Sequence, residues 1–247
     1  MPKTSLPADG HRMDTVFSII IPARNDANAL RRTLDHLQSL RGIEQAEIIV
    51  AASGEREETE NAVACHGRLI WPARPTRAAL MNAGAAVAGG KVFFFLHADS
   101  LPPLNALAEI QGALQNPRVV GGAFEHRFAE TAWSLRLISW INRRRYVFTR
   151  NYYGDQGIFV RAEIFRSLGG YHDVFMEDLD FSQRLKKLGR TKIVPFPLVT
   201  SGRRFLRWGP WRAFSFIVWV LLLHSLKLNT QRYAARWDAR GEQSLQR

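Results

Sequence analysis

Residues Lys91–Ser100 read KVFFFLHADS. Three consecutive phenylalanines and a leucine belong in a core, and a run this short and continuous is expected for a strand covered on both faces of a parallel sheet. The run passes without a break into His97, a small residue, Asp99 and Ser100. A carboxylate at such a strand end can hold a hard divalent cation that neutralises phosphate oxygens. The same acid, followed by Ser100 and two prolines, also makes a good turn or helix cap. On these residues alone both readings stand.

Working outward from that strand, the neighbouring segments alternate in type. Val16–Pro22 (VFSIIIP) is a β-branched run stopped by proline, and Leu30, Leu34, Leu37 and Leu40 then recur at helical spacing behind Asn25 and Asp26, either of which could cap a helix. Glu47–Ala51 (EIIVA) is a second strand, Glu55–Ala64 a polar helix, and Arg68–Trp71 (RLIW) a third strand. The alanine-rich stretch Thr76–Ala88 suits a helix packed closely on a sheet. Repeated alternation of strand and helix predicts an α/β fold with a mostly parallel central sheet flanked by helices. Ligands of open sheets of this kind bind outside the carboxyl ends of the strands, where the polar tips PARND, AASGE and HADS all fall.

The later half is less regular. Val119–Phe124 and Gly157–Val160 read as strands, and Trp133–Arg145 and Asp178–Leu188 as helices. MEDLD (Met176–Asp180) puts Glu177 and Asp178 in the first turn of its helix, where the dipole favours negative charge; a carboxylate there that points into a cleft can instead serve as a general base. YGDQG places Asp155 and Gln156 between glycines, which allow close backbone approach to a ligand and also make turns. TSGRRF supplies Arg203 and Arg204, suited to gripping a diphosphate or to lying solvated on the surface. No P-loop, zinc-ligand spacing or GxSxG elbow is present.

The 247-residue chain carries 34 Lys and Arg against 22 Asp and Glu, a net charge of +12 that favours anionic partners such as nucleotides or acidic lipid surfaces. The single cysteine, Cys65, excludes an intramolecular disulfide and fits a reducing compartment. Residues 1–15 form a polar lead-in without an apolar run, so the expectation is a cytoplasmic protein. Residues 16–208 read as one domain and 209–247 as a basic, aromatic helical tail. From residue 201 onward there are nine Lys or Arg and two acids, and the apolar run Ala213–Leu223 is shorter than the ~20 residues a membrane span requires. Three readings are open for 209–228: peripheral contact with the inner face of a membrane, packing on the domain, or a homodimer contact. Charge alone hints at nucleic acid, and without a recognition motif no nucleic-acid partner is expected.

Taken in order, the stretches FSIIIPARNDANAL, TRAALMNAGAAVAGG, VFFFLHADSLPP, VGGAFEHRF, YGDQGIFVRAEIF, LGGYHDVFMEDLDFSQRLKKLGR and TSGRRF resemble family 2 glycosyltransferases of the GT-A fold, and within them the subgroup called rSAM/selenodomain-associated transferase 2. The resemblance runs from about residue 16 to residue 212. It implies transfer of a sugar from a nucleotide-diphosphate-sugar donor to a lipid-linked or small-molecule acceptor, with inversion and with Mn²⁺ or Mg²⁺ as cofactor. By the same match Pro22, Arg24, Asn25, Arg77 and Asn82 line the nucleotide pocket. Asp99 takes the metal-meeting position of the DxD-like motif, and His97 stands where its first aspartate is usual. Asp178 matches the catalytic base with Glu177 beside it, Asp155 and Gln156 match the loop near the acceptor and reacting sugar, and Arg203 and Arg204 hold the departing diphosphate. One departure concerns the base: VAASGE has Ala51 where the family carries a base-binding aspartate, with Glu55 the acid nearest to replacing it. The competing classes are a nucleotidyltransferase on a similar scaffold and a non-catalytic binding protein.

Overall fold

The computed structural model describes residues 16–226 and 228–233; the polar lead-in 1–15 and the last part of the tail, 234–247, lie outside the described residues. The chain opens with β1 (Phe17–Arg24), α1 (Ala27–Leu37), β2 (Ala46–Ser53), α2 (Arg56–Val63), β3 (Arg68–Ile70), α3 (Arg77–Ala86) and β4 (Val92–Phe95). It continues with β5 (Ser100–Leu101), α4 (Ala106–Leu114), β6 (Val119–Phe128), α5 (Trp133–Thr149), β7 (Ile158–Arg161), α6 (Ala162–Ser167), α7 (Glu177–Leu188), β8 (Arg190–Thr200), α8 (Arg203–Trp208) and α9 (Pro210–Ser225).

The strands form one sheet in the order β3-β2-β1-β4-β7-β6-β8-β5. The first four in that order are parallel, as alternation with helices requires. β7 then enters between β4 and β6 antiparallel to both, β8 runs parallel to β6, and the short β5 closes the edge antiparallel to β8. The carboxyl ends of β1, β2, β4, β6 and β8 therefore share one edge with the amino end of β7. A parallel α/β core thus passes into a mixed second half, and that junction assembles the site.

The triple phenylalanine is explained by the pleat. Phe94 packs on one face with Ile19, Ile21, Leu30, Leu34, Leu107 and Phe124. Phe93 and Phe95 point to the other face, with Ile20, Met81, Phe165, Tyr171 and Phe181. All three are buried because helices cover both sides. α3 lies close on β1 because it is built of small residues: a Cβ on Gly84 would come within 2.6 Å of Ile20 Cγ2. A smaller apolar cluster of Phe128, Leu135 and Ile138 is covered by Phe205 and Phe214, so α5, α8 and α9 pack as a unit beside the β6 end of the sheet.

Candidate active site

Asp26 sits just beyond β1 and caps α1, accepting the Ala29 N–H through Oδ1 at 3.2 Å. Its other oxygen, Oδ2, accepts from Arg203 Nη2 at 2.9 Å, tying the start of α8 to the end of β1. Asn25, in the left-handed region (φ 49°), accepts the Glu55 N–H through Oδ1 at 3.0 Å. Gly54, at φ +93°, leaves no room for a Cβ against the Asn25 amide. Asn25 therefore links the first two strand ends. Arg24 and the Glu55 side chain are exposed nearby, and Pro22 pairs with Ala51 inside the sheet. Ala51 is itself buried; the polar group at the end of β2 is Ser53, whose buried Oγ makes no hydrogen bond among the described residues.

The chemistry converges on Gly154, in the turn before β7. A Cβ there would overlap both His97 Nε2 and Asp178 Oδ2, so only glycine leaves room for both side chains at this point. The Gly154 backbone N–H donates to Asp178. Arg77, the first residue of α3, reaches across the same point. Its Nη1 lies 3.5 Å from His97 Nε2 and 3.9 Å from Asp178 Oδ2, and its Nε lies 3.6 Å from Glu177 Oε1. The start of α7 behind Met176, itself at φ 65°, turns both acids inward.

Charge at this point is strongly tuned. Burial, and then the neighbouring Glu177 carboxylate, push the Asp178 carboxyl up to about 8, with Arg77 and the Gly154 N–H pulling the other way. Burial, with Arg77, Arg204 and His126 adding positive potential, holds His97 well below its usual range, so the imidazole is neutral. Asp99 is raised by burial and by Asp26, while Arg203, Arg77 and Arg204 oppose the rise. Tyr171 is buried beneath the two acids, and burial keeps its phenol neutral.

Two amides expected in the pocket are engaged with backbone instead. Asn82 donates from Nδ2 to the Tyr171 carbonyl at 2.8 Å and accepts the Tyr171 N–H through Oδ1 at 2.9 Å. Gln156 accepts the Tyr153 N–H at 3.1 Å and donates to the Phe124 carbonyl at 3.1 Å. Both therefore hold the loops that carry the site. Asp155 stays half-exposed, with Oδ2 3.7 Å from His126 Nε2.

His126 was not singled out by motif. It lies near the carboxyl end of β6, its Nε2 lies 2.7 Å from Thr200 Oγ1, and its buried Nδ1 makes no hydrogen bond among the described residues. Asp26, Ser53 and His126 thus add polar groups to the sheet edge that carries the site. A signal existed for His126: a histidine at the carboxyl end of an apolar strand falls on the edge where His97 lies.

Among the described residues no three His, Cys, Asp or Glu side chains converge as a protein-only metal cage would. Asp99, a single carboxylate raised by burial and then by the nearby Asp26 carboxylate, fits a different arrangement, in which one carboxylate and substrate phosphates share the cation.

The described fold resembles several solved structures. A mannosyltransferase from Pyrobaculum calidifontis, PcManGT, in complex with GDP-Man and Mn²⁺, superposes with a TM-score of 0.62 at 20% identity, covering 75% of this chain and 56% of that one. TarS 1-349 from S. aureus in complex with UDP gives 0.61 at 12% identity, over 75% and 60%. The same protein with UDP-GlcNAc gives 0.60 at 12% identity, over 75% and 58%. The chain thus spans less than two thirds of the length of these structures, and at such identities the likeness speaks for the fold alone. No curated protein matches the sequence significantly. A family profile described as Glycosyl transferase family 2 does match, over residues 18–168, which is more than half the chain and includes β1, the His97–Asp99 tip and the Gly154 turn. The chain belongs to glycosyl transferase family 2.

Proposed function

We propose that this protein transfers a sugar from a nucleotide-diphosphate donor to an acceptor hydroxyl, with inversion at the anomeric carbon and Asp178 as the general base. The observation that carries this reading is the buried Asp178 carboxyl held against Gly154, Arg77 and His97 at the carboxyl edge of the sheet. A hydroxyl is a weak nucleophile until its proton has somewhere to go. Asp178, with its basicity raised by burial and by Glu177, accepts that proton as the new bond forms between the acceptor oxygen and the anomeric carbon. The bond from that carbon to the diphosphate oxygen breaks, and the electron pair leaves with the nucleoside diphosphate.

Arg77, Arg203 and Arg204 lie close enough to shift the charge of Asp99, which suits them to hold the leaving diphosphate. Glu177, 3.6 Å from Arg77 Nε, sets the potential at Asp178 rather than taking the proton. Asp99, with His97 beside it, would hold a divalent cation together with the phosphates; when bound, Mn²⁺ or Mg²⁺ supplies neutralisation of the diphosphate charge. PcManGT was solved with GDP-Man and Mn²⁺ and TarS with UDP-GlcNAc, which makes GDP- and UDP-sugars the first donors to try.

The test is a screen of nucleotide-sugars, with and without Mn²⁺ or Mg²⁺, for thermal stabilisation and then for release of nucleoside diphosphate in the presence of candidate acceptors. At least one donor should stabilise the protein and be turned over, and Asp99→Asn should weaken donor binding in the metal-containing arm. Release of pyrophosphate from a nucleoside triphosphate instead would assign the site to nucleotidyl transfer.

A further inference from the structure

Among the described residues, helices α5 and α9 each turn one face to the core and leave the other exposed. On α5 the exposed positions Trp133, Leu137, Trp140 and Phe148 recur on one side, at 69, 37, 53 and 85% exposure. On α9 the exposed positions Trp211, Val218, Trp219 and Leu222 do the same, continued by Leu226 just past its end, while Ala213, Val220 and Leu223 are buried. At 3.6 residues per turn each set falls on one side of its helix. The two stripes meet where the helices begin, with the Trp133 and Trp211 rings 5.8 Å apart. Of seven tryptophans in the chain, four lie on this joined face. A patch of this size and aromatic content marks an interaction site.

Charge decides what the patch meets. Helices α5, α8 and α9 together contain eight arginines and no Asp or Glu. Arg144 stacks over the Trp140 ring at 5.3 Å, and Arg136, Arg143 and Arg212 are exposed along the two helices. A groove of about 360 Å³ opens beside Trp140, lined by Arg127, Arg136 and Arg143 against Glu125 and Glu130. A second copy of the chain would bring the same arginines face to face, and juxtaposed like charges oppose association. An anionic lipid surface matches both properties at once, because its headgroups attract the guanidiniums and its acyl boundary takes the indoles. No helix among the described residues is long and apolar enough to cross a membrane.

We propose that the joined α5–α9 face docks the protein on anionic lipid bilayers, with Trp133, Trp140, Trp211 and Trp219 entering the interface. α5 follows the end of β6, and α9 follows α8, whose first residues are Arg203 and Arg204. Docking therefore sets the edge of the sheet that carries the cleft beside the lipid surface. The docking itself does not depend on the transfer reading.

The experiment uses the full chain with vesicles of 30% phosphatidylglycerol and 70% phosphatidylcholine, against pure phosphatidylcholine, in flotation and in tryptophan fluorescence with brominated lipid. The full chain should float with the anionic vesicles, release at about 0.5 M salt, where the Debye length falls below roughly 5 Å, and show quenched tryptophan emission. The double variant Trp140→Glu, Trp219→Glu should lose at least tenfold in vesicle partitioning while keeping its thermal midpoint. Absence of flotation or of quenching in the wild-type chain overturns the proposal, as does a correctly folded double variant that floats unchanged. A vesicle-indifferent dimer dissociated by the same substitutions would overturn it too, assigning the face to a second copy.

Discussion

Asp178 is an acid whose surroundings make it a base. Near neutral pH, burial and Glu177 keep the proton on its carboxyl in the free protein, so the competent form grows as pH approaches 8 and kcat/KM should rise across that range. Asp178→Asn preserves shape and still accepts the Gly154 N–H, but cannot take a proton. Transfer should drop by about 10² to 10⁴ with donor affinity unchanged in calorimetry; a variant that turns over at the wild-type rate would move the base elsewhere. Gly154→Ala tests the geometry from the other side. The added methyl has nowhere to go between His97 and Asp178, so activity should fall by at least tenfold with the circular dichroism spectrum retained. Asp99 and Asp178 could be named as candidates because a strand tip and a helix start are visible in sequence, whereas Arg77 came only through the family resemblance. Asp26, Ser53 and His126 were not singled out for the site, since each owes its place to an edge assembled from distant segments. Asn82 and Gln156 carry the converse lesson: an amide in a cleft loop can serve a ligand or the backbone, and their partners, Tyr171 and Phe124, lie 89 and 32 residues away.

At the scale of elements, the alternating first half was readable because β1, β2 and β4 each carry a short continuous apolar run and the leucines of α1 recur at helical spacing. The second half was read less completely. β8 carries Pro195 and Pro197, which argue against a central strand; the sheet accommodates them at an irregularity in register between Phe124 and Glu125, beside the two-residue edge strand β5. The antiparallel direction of β7 has no local signal, because it depends on where the long excursion through α4, β6 and α5 returns the chain. The loop between α6 and α7 shows how such an excursion is held. Both polar groups of the Asn82 amide grip Tyr171, whose aromatic ring packs on Phe95 and Phe181. Removing the amide leaves a backbone N–H and a C=O to find new partners, a loss of about 2 kcal/mol. Asn82→Ala should therefore lower the urea midpoint and speed amide exchange around Tyr171. It should also reduce transfer through misplacement of Glu177 and Asp178, which begin the next helix. Unchanged exchange at Tyr171 would show that the ring packing alone holds the loop.

For the molecule as a whole, the buried acids make the site a net cost to folding, and the sign of that cost can be followed with pH. The Asp178 carboxyl titrates near 8 in the folded chain and near about 3.9 when unfolded. Between those values the native state holds a proton that the unfolded state has lost, so stability from this group is complete at low pH and declines as pH rises, by about 1.4 kcal/mol per unit, levelling off above 8. His97 works in the opposite direction. Its folded value is lowered, so its contribution is present above its unfolded value, near about 6.5, and is lost as pH falls. The wild-type profile mixes the two, but His97 is common to wild type and Asp178→Asn, so the difference between the chains isolates the carboxyl. In urea unfolding at pH 5, 6.5 and 8 the variant should gain on the wild type at each step, becoming the more stable chain at pH 8 while being the inactive one. A difference that stays flat across the range would mean that Asp178 is ionised throughout, held by Arg77, and would remove the tuning on which its role as base depends.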